Sequence, residues 1–375
     1  MTSRELVNAT LEFRNETGIV PRQMWVLPWA EKNYGKELER IRTLYPDDFA
    51  GPPVILDKQP PVTGDPYAVG EYVDEWGCRF TNIHEGVIGE VKEPVICEED
   101  WSDAGKVHIP VELLTFDADA VNRFCRETDR FVIAGCCPRP FEQLQFLRST
   151  QELYMDLMDP PRGMLDFMER MHGFYCALLE KWAQTEVDAL NFMDDWGSQK
   201  SLLISPELWK TYFKPMYRDY IAIAKKYGKK TFMHSDGCIL DIYPHMIELG
   251  LDALNSQIFC MGIEKLEQFR GKITFWGEID RQHILPEGTP EQVEEAVKSV
   301  KESLWAGGGC IAQCEFGPGA RPENVEAVFR AWSREQTGKG KDCGMMENLT
   351  AQQVRDVIEG RGCTQIPVIT GGKKK

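Results

Sequence analysis

Apolar and polar residues follow a regular rhythm from about residue 115 onward. Short runs rich in β-branched and aromatic residues alternate with segments whose apolar residues recur every three to four positions. Strands that alternate with amphipathic helices predict a parallel sheet, and so many repeats favour a closed (β/α)8 barrel, an α/β fold, over an open doubly wound sheet. The predicted strands cover residues 18–30, 131–137, 187–197, 229–238, 251–257, 273–280 and 310–319.

The pattern before residue 115 is less regular. A polar helix is predicted over 2–15, and residues 31–110 are rich in Pro and Gly, with hairpin-like alternation over 74–96. We therefore divide the chain into an N-terminal elaboration (1–110), the main part of the barrel (111–340) and a C-terminal extension (341–375). The extension is predicted to add a helix and an extended tail.

Composition excludes several classes of function. Hydrophobic residues make up 42% of the 375 positions and charged residues 27%, as in a soluble globular protein. The net charge of −16 argues against binding to nucleic acid or to an anionic membrane, because both require a basic face. The polar N-terminus does not resemble a secretory signal, and the 12 irregularly spaced cysteines suggest reduced thiols. We expect a cytoplasmic protein.

The predicted strand exits carry many reactive side chains. Active sites of (β/α)8 barrels form at the C-terminal ends of the strands. Carboxylates, thiols, one imidazole and several indoles occur there: Trp25, Trp29, Cys136, Cys137, Asp194, Asp195, Trp196, His234, Asp236, Glu278, Asp280, Cys314 and Glu315. An imidazole, a carboxylate and a thiolate converging on one rim would suit Zn²⁺, although no compact metal-binding motif is present.

Each of these residues also has an ordinary structural interpretation. His234 could be a satisfied core histidine, Asp236 could form a turn with the following glycine, and Cys314 could be a small buried hydrophobe. The pair Asp194–Asp195 could share a proton, bind substrate hydroxyls or cap the next segment. A glutamate at the position of Glu278 needs a cation or donor partner if it is buried.

Three segments resemble the uroporphyrinogen decarboxylase superfamily. They begin "DDWGSQK" (residues 194–257), "KITFWGEIDRQ" (272–297) and "FGPGARPENVEAVF" (316–329). The likeness covers roughly residues 115–335 and implies a (β/α)8 barrel. It also implies one of two chemistries: decarboxylation of a porphyrinogen without a cofactor, or zinc-dependent methyl transfer to or from a corrinoid protein.

The segment "MWVLPWAEKNYG" (24–35) has two tryptophans where the decarboxylase carries arginines. An octacarboxylate substrate would be poorly held without arginine forks, so the methyltransferase branch is favoured. The resemblance then implies zinc ligation by His234 and Cys314, with Asp236 at the position of a ligating cysteine and Glu278 as a further option. This harder ligand set suits polarising an oxygen and favours an O-demethylase.

The resulting hypothesis is a zinc-dependent methyltransferase that moves a methyl group from a small aromatic methyl ether to the Co(I) of a separate corrinoid protein. Since the partner supplies the corrinoid, no tightly held cobalamin is expected in this chain. Asp194, Asp195 and Glu278 are candidate catalytic residues, and the indoles of Trp25, Trp29, Trp196 and Trp276 are candidate walls for an aryl substrate. Related barrels often dimerise, so a homodimer is an option.

Two alternatives remain open at the sequence level. One is a cofactor-free decarboxylase or lyase acting on a small acid, in which Asp194 or Asp195 manages protons. The other is a non-catalytic module that binds a corrinoid or an aromatic ligand.

Overall fold

The computed structural model describes residues 1–333 of the chain. The strands are β1 (Arg22–Val26), β2 (Phe49–Ala50), β3 (Gly70–Val73), β4 (Arg79–Asn82), β5 (Glu90–Glu93), β6 (Phe131–Val132), β7 (Ala189–Met193), β8 (Lys230–Ser235), β9 (Ala253–Ser256), β10 (Thr274–Trp276) and β11 (Cys310–Phe316). The α-helices are α1 (Ser3–Leu11), α2 (Pro28–Leu44), α3 (Ala118–Glu127), α4 (Pro140–Arg148), α5 (Thr150–Met158), α6 (Arg162–Ala183), α7 (Pro206–Tyr212), α8 (Lys214–Lys226), α9 (Tyr243–Leu249), α10 (Ile258–Met261), α11 (Ile263–Leu266), α12 (Ile284–Glu287), α13 (Pro290–Leu304) and α14 (Pro322–Ser333).

Eight of the strands form a parallel ring. Six of them make one continuous sheet in the order β1-β11-β10-β9-β8-β7, and β2 pairs with β6. A parallel bridge between Ile133 and Ala189 joins the β6 segment to β7. The amide of Asp48 donates to the carbonyl of Arg22 (2.9 Å) and joins β2 to β1. The predicted (β/α)8 barrel is confirmed, with shorter strands in the β2–β6 half than in the other.

The barrel has two apolar layers. Its interior is filled by Phe49, Phe131, Phe232, Trp276 and Ile311, with smaller neighbours. A larger cluster packs the outer face of the sheet against the helices. Because successive side chains of a strand point to opposite faces, each strand contributes to both layers in alternation. This alternation decides which residues at a strand exit face the barrel mouth.

The N-terminal region contains more regular structure than its sequence predicts. The alternation over 74–96 corresponds to a three-stranded antiparallel sheet of β3, β4 and β5. Residues 31–110 were expected to be irregular, but they include most of α2 and also β2. Only Ala30, Leu38 and Ile41 of α2 are buried, and the helix is kinked at Tyr34, so its apolar periodicity is weak.

The other helices follow the prediction with local changes. The segment from Pro206 to Lys226 is divided into two helices, α7 and α8, because a new helix with Pro215 in its first turn begins after Phe213. Within the described residues, no helix is long and apolar enough to cross a membrane. The predicted C-terminal extension, 341–375, lies outside the described residues.

Candidate functional site

Two glycines bring the loops that follow β7 and β8 into direct contact. A Cβ atom at Gly197 would overlap the backbone of Gly237 and Cys238, and a Cβ atom at Gly237 would overlap Gly197. Gly237 also has a φ of +79°, which side chains other than glycine rarely adopt. The amide of Gly197 donates to the carbonyl of Asp236 (3.1 Å). This close approach places the carboxylates of the two loops side by side.

Asp195, His234 and Asp236 form a compact group at the exits of these strands. The Nε2 atom of His234 lies 3.5 Å from Asp195 Oδ1 and 3.7 Å from Asp236 Oδ1. One potential ligand atom from each of the three residues lies within 4.8 Å of the other two, and no other such group of three occurs among residues 1–333. The amide of Asp236 also donates to Asp195 Oδ1 (3.0 Å), which fixes one carboxylate against the other loop.

Asn255 on β9 orients the imidazole. Its Nδ2 donates to the carbonyl of Trp276, so its Oδ1 is the atom that faces His234 Nδ1, at 2.6 Å. An oxygen acceptor at this distance requires a proton on Nδ1, so the neutral form of the imidazole has its lone pair on Nε2. Metal-binding histidines are typically held this way, with the nitrogen opposite the metal donating to an oxygen.

The group has the electrostatics of a cation site. Burial lowers the pKa of His234, but the hydrogen bond and charge of Asp195 and the charge of Asp236 raise it overall to about 9. Burial raises the pKa of Asp195, but its hydrogen bond and attraction to His234 lower it overall. Asp236 Oδ1 is buried and has no hydrogen-bond partner among the described residues. Two carboxylates and one imidazole nitrogen form a donor set that Zn²⁺ accepts, so the residues present fit this metal.

A second charged cluster lies at the exits of β10 and β11. Arg281 Nη1 donates to both oxygens of Glu315 (3.0 Å each), and its Nε lies 3.4 Å from Glu278 Oε1. Its Nη2 donates to Asp236 Oδ2. The guanidinium therefore uses its planar fork to hold three carboxylates, one of which belongs to the His234 group. Arg281 links the two clusters.

Glu278 is the most buried carboxylate of this second cluster. Its side chain is 4% exposed. Burial raises its pKa to about 8, since the attraction of Arg281 is offset by the charges of Asp236 and Glu315. Glu278 therefore holds a proton over much of the neutral range. It lies beside a cavity of about 280 Å³ that is lined mainly by polar residues, including Gln257, Arg281 and His283.

The predicted pairing of Cys314 with His234 as zinc ligands requires correction. Cys314 is fully buried within the apolar layer between sheet and helices, whereas its β11 neighbour Ile311 belongs to the barrel interior. Since side chains alternate along a strand, Glu315 faces the mouth and Cys314 faces the helices. Burial, with the charges of Glu278 and Glu315, also raises the pKa of the Cys314 thiol.

The side chains of Asp194 and Trp196 do not face the barrel mouth. Both are buried and have structural roles. Asp194 is fully buried, accepts from the amide of Glu142 in the first turn of α4 (2.7 Å) and accepts from Tyr217 Oη (2.5 Å). Trp196 is also fully buried, stacks on Phe141 and donates to Tyr217 Oη (2.9 Å). The predicted catalytic role of Asp194 and the predicted substrate-binding role of Trp196 are therefore corrected: both fasten α4 and α8 to the barrel.

The other predicted tryptophans have three different positions. The Trp25 ring meets the His234 ring edge-on, with centroids 5.3 Å apart. Trp276 is 2% exposed in the barrel interior and donates to Gln23 Oε1 (2.7 Å), although it borders a cleft of about 380 Å³ beside Trp25. Trp29 lies in the first turn of α2 and packs against Tyr34. Only Trp25 contacts the His234 group.

The sequence did not identify Asn255 or Arg281 as site residues. Asn255 ends a predicted strand beside His234's strand, which was the available signal for an orienting partner. Arg281 follows Glu278 by three residues in the same loop. A cation so close in sequence to a carboxylate that is expected to be buried was a usable signal for an ion pair.

Comparison with protein families identifies the relatives of this chain. The family model described as uroporphyrinogen decarboxylase (URO-D) matches residues 74–334. The chain belongs to this family. No functionally curated protein sequence matches it significantly.

A solved structure confirms the fold. A methyltransferase from Methanosarcina mazei aligns over 88% of this chain and 98% of its own length, with a TM-score of 0.58 and 14% identity. An endo-β-1,4-xylanase from Gloeophyllum trabeum covers 59% of this chain and 81% of its own (TM-score 0.36, 10% identity). A 3-keto-D-glucoside 4-epimerase from E. coli covers 57% and 83% (TM-score 0.36, 11% identity). At 14% identity, the similarity to the Methanosarcina mazei protein establishes the fold alone.

Proposed function

We propose that this member of the uroporphyrinogen decarboxylase family is a zinc-dependent methyltransferase. Its substrate would be a small methoxylated aromatic compound, and its methyl acceptor the Co(I) of a separate corrinoid protein. The observation that carries the proposal is the group formed by Asp195, His234 and Asp236, in which Nε2 of the imidazole and an Asp236 Oδ1 without a hydrogen-bond partner among the described residues lie close together. The structural similarity to a protein named as a methyltransferase is consistent with it.

In this proposal Asp195, His234 and Asp236 would hold the zinc ion. When bound, zinc would act as a Lewis acid on the ether oxygen and favour departure of the phenolate. Trp25, whose ring borders the His234 imidazole, would provide a flat apolar surface for the aryl ring. Glu278, with a pKa of about 8, would carry a proton at neutral pH that can be given to the phenolate.

The size and charge of the mouth support a small substrate. Cavities of about 280 and 380 Å³ lie at the low end of the roughly 300–1,000 Å³ typical of ligand pockets. Arg281 is already committed to three carboxylates and is not free to bind the side chains of an octacarboxylate. Both features disfavour a porphyrinogen substrate.

Metal content and methyl transfer test the proposal together. Purified protein loaded with zinc should transfer methyl groups from an aryl methyl ether to chemically reduced cobalamin, with loss of the Co(I) absorbance and release of the phenol. Removal of zinc by a chelator should abolish transfer, and added zinc should restore it. Full activity in the metal-free protein would contradict the proposal.

A cofactor-free decarboxylase of a small acid is the second candidate. The family match and the proton held by Glu278 favour it, because a buried protonated carboxyl can protonate the carbanion left by carbon dioxide. Release of carbon dioxide from small aromatic acids by the metal-free protein, without any corrinoid, would select this reading. Its absence, with zinc-dependent methyl transfer present, would select the first.

A further inference from the structure

A third cavity, also of about 280 Å³, lies on the β6 side of the barrel and is lined by none of the residues of the candidate metal group. Its walls are mainly apolar and aromatic. Trp76 comes from the N-terminal elaboration, and Phe174, Leu178 and Trp182 come from α6. Val54 closes one side from an exposed position. Aromatic and aliphatic walls suit a flat, apolar ligand body.

One arginine gives this apolar cavity a polar end. Arg139 lines the cavity at the start of α4, and its side chain is 37% exposed. Its Nη1 makes one long contact to Glu142 Oε2 (3.4 Å). The guanidinium forms no other hydrogen bond within residues 1–333, although it has five N–H donors. Its remaining donors are free to bind a planar anion in a bidentate manner.

Glu142 connects the cavity to the candidate metal group. Burial raises the pKa of Glu142 overall. The charge of Asp195 also raises this pKa, and the charges of Arg139 and His234 lower it, so the carboxylate lies within electrostatic reach of all three residues. The wall residue Cys137 also accepts from Asn191 Nδ2 (3.3 Å), and Asn191 lines the cleft beside Trp25. A ligand in the cavity would therefore lie next to the mouth of the barrel.

We propose that this cavity binds a small aromatic carboxylate, with its ring against the wall formed by Trp76, Phe174 and Trp182 and its carboxylate on Arg139. This site is separate from the surface that Trp25 would offer to the methyl donor, so the inference goes beyond the proposed function. Binding itself requires neither zinc nor a corrinoid, so it can be tested separately.

Calorimetric titration of the metal-free protein with matched probes tests the site. We expect 4-methoxybenzoate to bind at least about tenfold more tightly than 4-methoxybenzamide, because only the former pairs its charge with Arg139. Acetate, which lacks the ring, should bind far more weakly than either probe. Equal affinity for benzoate and benzamide, or no binding of either, would overturn the proposal.

Charge variants sharpen the test. Arg139→Gln should remove the preference for benzoate and leave benzamide binding unchanged, whereas Arg123→Gln, an exposed position on α3, should change neither. Glu75 also lines the cavity, so Glu75→Gln should tighten benzoate binding by removing a like charge. Weaker benzoate binding in Glu75→Gln would contradict the assignment.

A steric variant keeps the proposal testable if Arg139→Gln fails to fold. Val54→Trp should fill the cavity from an exposed loop position and reduce the affinity for both aromatic probes. Unchanged affinity in that variant would place the ligand elsewhere. Absence of probe binding with intact zinc-dependent methyl transfer would reject the cavity site alone, and benzoate binding without any zinc-dependent methyl transfer would reject the proposed function alone.

Discussion

The acidic side chains on the two halves of the rim are balanced by different cations. At the exits of β10 and β11, Arg281 is a permanent cation that contacts Glu278 and Glu315 and also reaches Asp236. At the exits of β7 and β8, Asp195 pairs with His234 and Asp236 pairs with both His234 and Arg281. One buried oxygen, Asp236 Oδ1, has no hydrogen-bond partner among the described residues. One half carries its own counter-ion, and the other half is arranged to receive one.

This difference explains why only one of the two acidic clusters is a candidate metal site. A guanidinium bound to three carboxylates already occupies the place where a cation would sit. An imidazole that is protonated in the absence of metal can lose its proton and offer Nε2 as a ligand. Four predictions follow the comparison from the largest expected effect to the smallest.

Replacing the imidazole should remove the metal. In His234→Ala we expect zinc affinity and methyl transfer to fall by at least ~100-fold, more than the 10–100-fold typical of residues that only orient a ligand. Zinc content after dialysis and the rate of methyl transfer measure this. His84→Ala, an exposed histidine in the loop after β4, is the matched control and should retain both. Retention of zinc by His234→Ala would contradict the assignment of the metal site to the β7–β8 half of the rim.

Removing the permanent cation should mainly affect stability. Arg281→Gln leaves the carboxylates of Asp236 and Glu315 without this counter-ion, and we expect a loss of about 3 kcal/mol in the free energy of unfolding, measured by urea denaturation. The double variant Arg281→Gln/Glu315→Gln should recover part of that loss, because one of the two stranded charges is removed with its partner. Arg123→Gln serves as the control. An unchanged midpoint in Arg281→Gln would show that the cluster is not held by this residue.

Separating the two loops should weaken the His234 group without removing a ligand. In Gly197→Ala the new methyl group would overlap Gly237, and we expect a cost of about 1–3 kcal/mol in the free energy of unfolding together with weaker zinc binding. Gly173→Ala in α6, where a Cβ meets nothing within 4 Å, is the matched control and should be neutral or slightly stabilising. Unchanged zinc affinity in Gly197→Ala would show that the loop contact does not define the site.

The smallest effect concerns pH. The pKa of Glu278 is raised to about 8, so the folded protein retains a proton that the unfolded chain loses near pH 4.5. The stabilisation associated with that proton is full below pH 4.5 and is lost as the pH rises through 8. In Glu278→Gln this pH dependence of stability should disappear. The melting temperature of the metal-free variant should therefore rise relative to that of the metal-free wild type as the pH increases from 5 to 8. A constant difference between the two would contradict the raised pKa.

The sequence predicted the barrel and the strand exits well because strand–helix alternation is a strong periodic signal. It predicted α2 poorly, since a helix with three buried residues and a kink at Tyr34 has little apolar periodicity. The sequence also could not show which residues at a strand exit face the barrel mouth. Asp194 and Asp195 are adjacent, yet one caps α4 and the other faces His234, and only the strand pleat and the loop path separate them.

Part of the candidate metal group was found from the sequence. His234 and Asp236 lie together as expected, but Asp195 joins them in place of Cys314. Sequence spacing placed Cys314 and Glu315 at the same exit without showing which faces the mouth, because a shift of one residue reverses the face of a strand. The role of Arg281 depends on contacts with Asp236 after β8, Glu278 after β10 and Glu315 in β11, and no local sequence pattern contains all three.

The central claim is that a divalent metal is held between the loops that follow β7 and β8. Anomalous scattering at the zinc absorption edge, recorded from a crystal of the zinc-loaded protein, tests it most directly. We predict one strong peak within about 2.0–2.2 Å of His234 Nε2 and of one oxygen each from Asp195 and Asp236. A peak bound to Cys314, or no peak beside His234, would contradict the account.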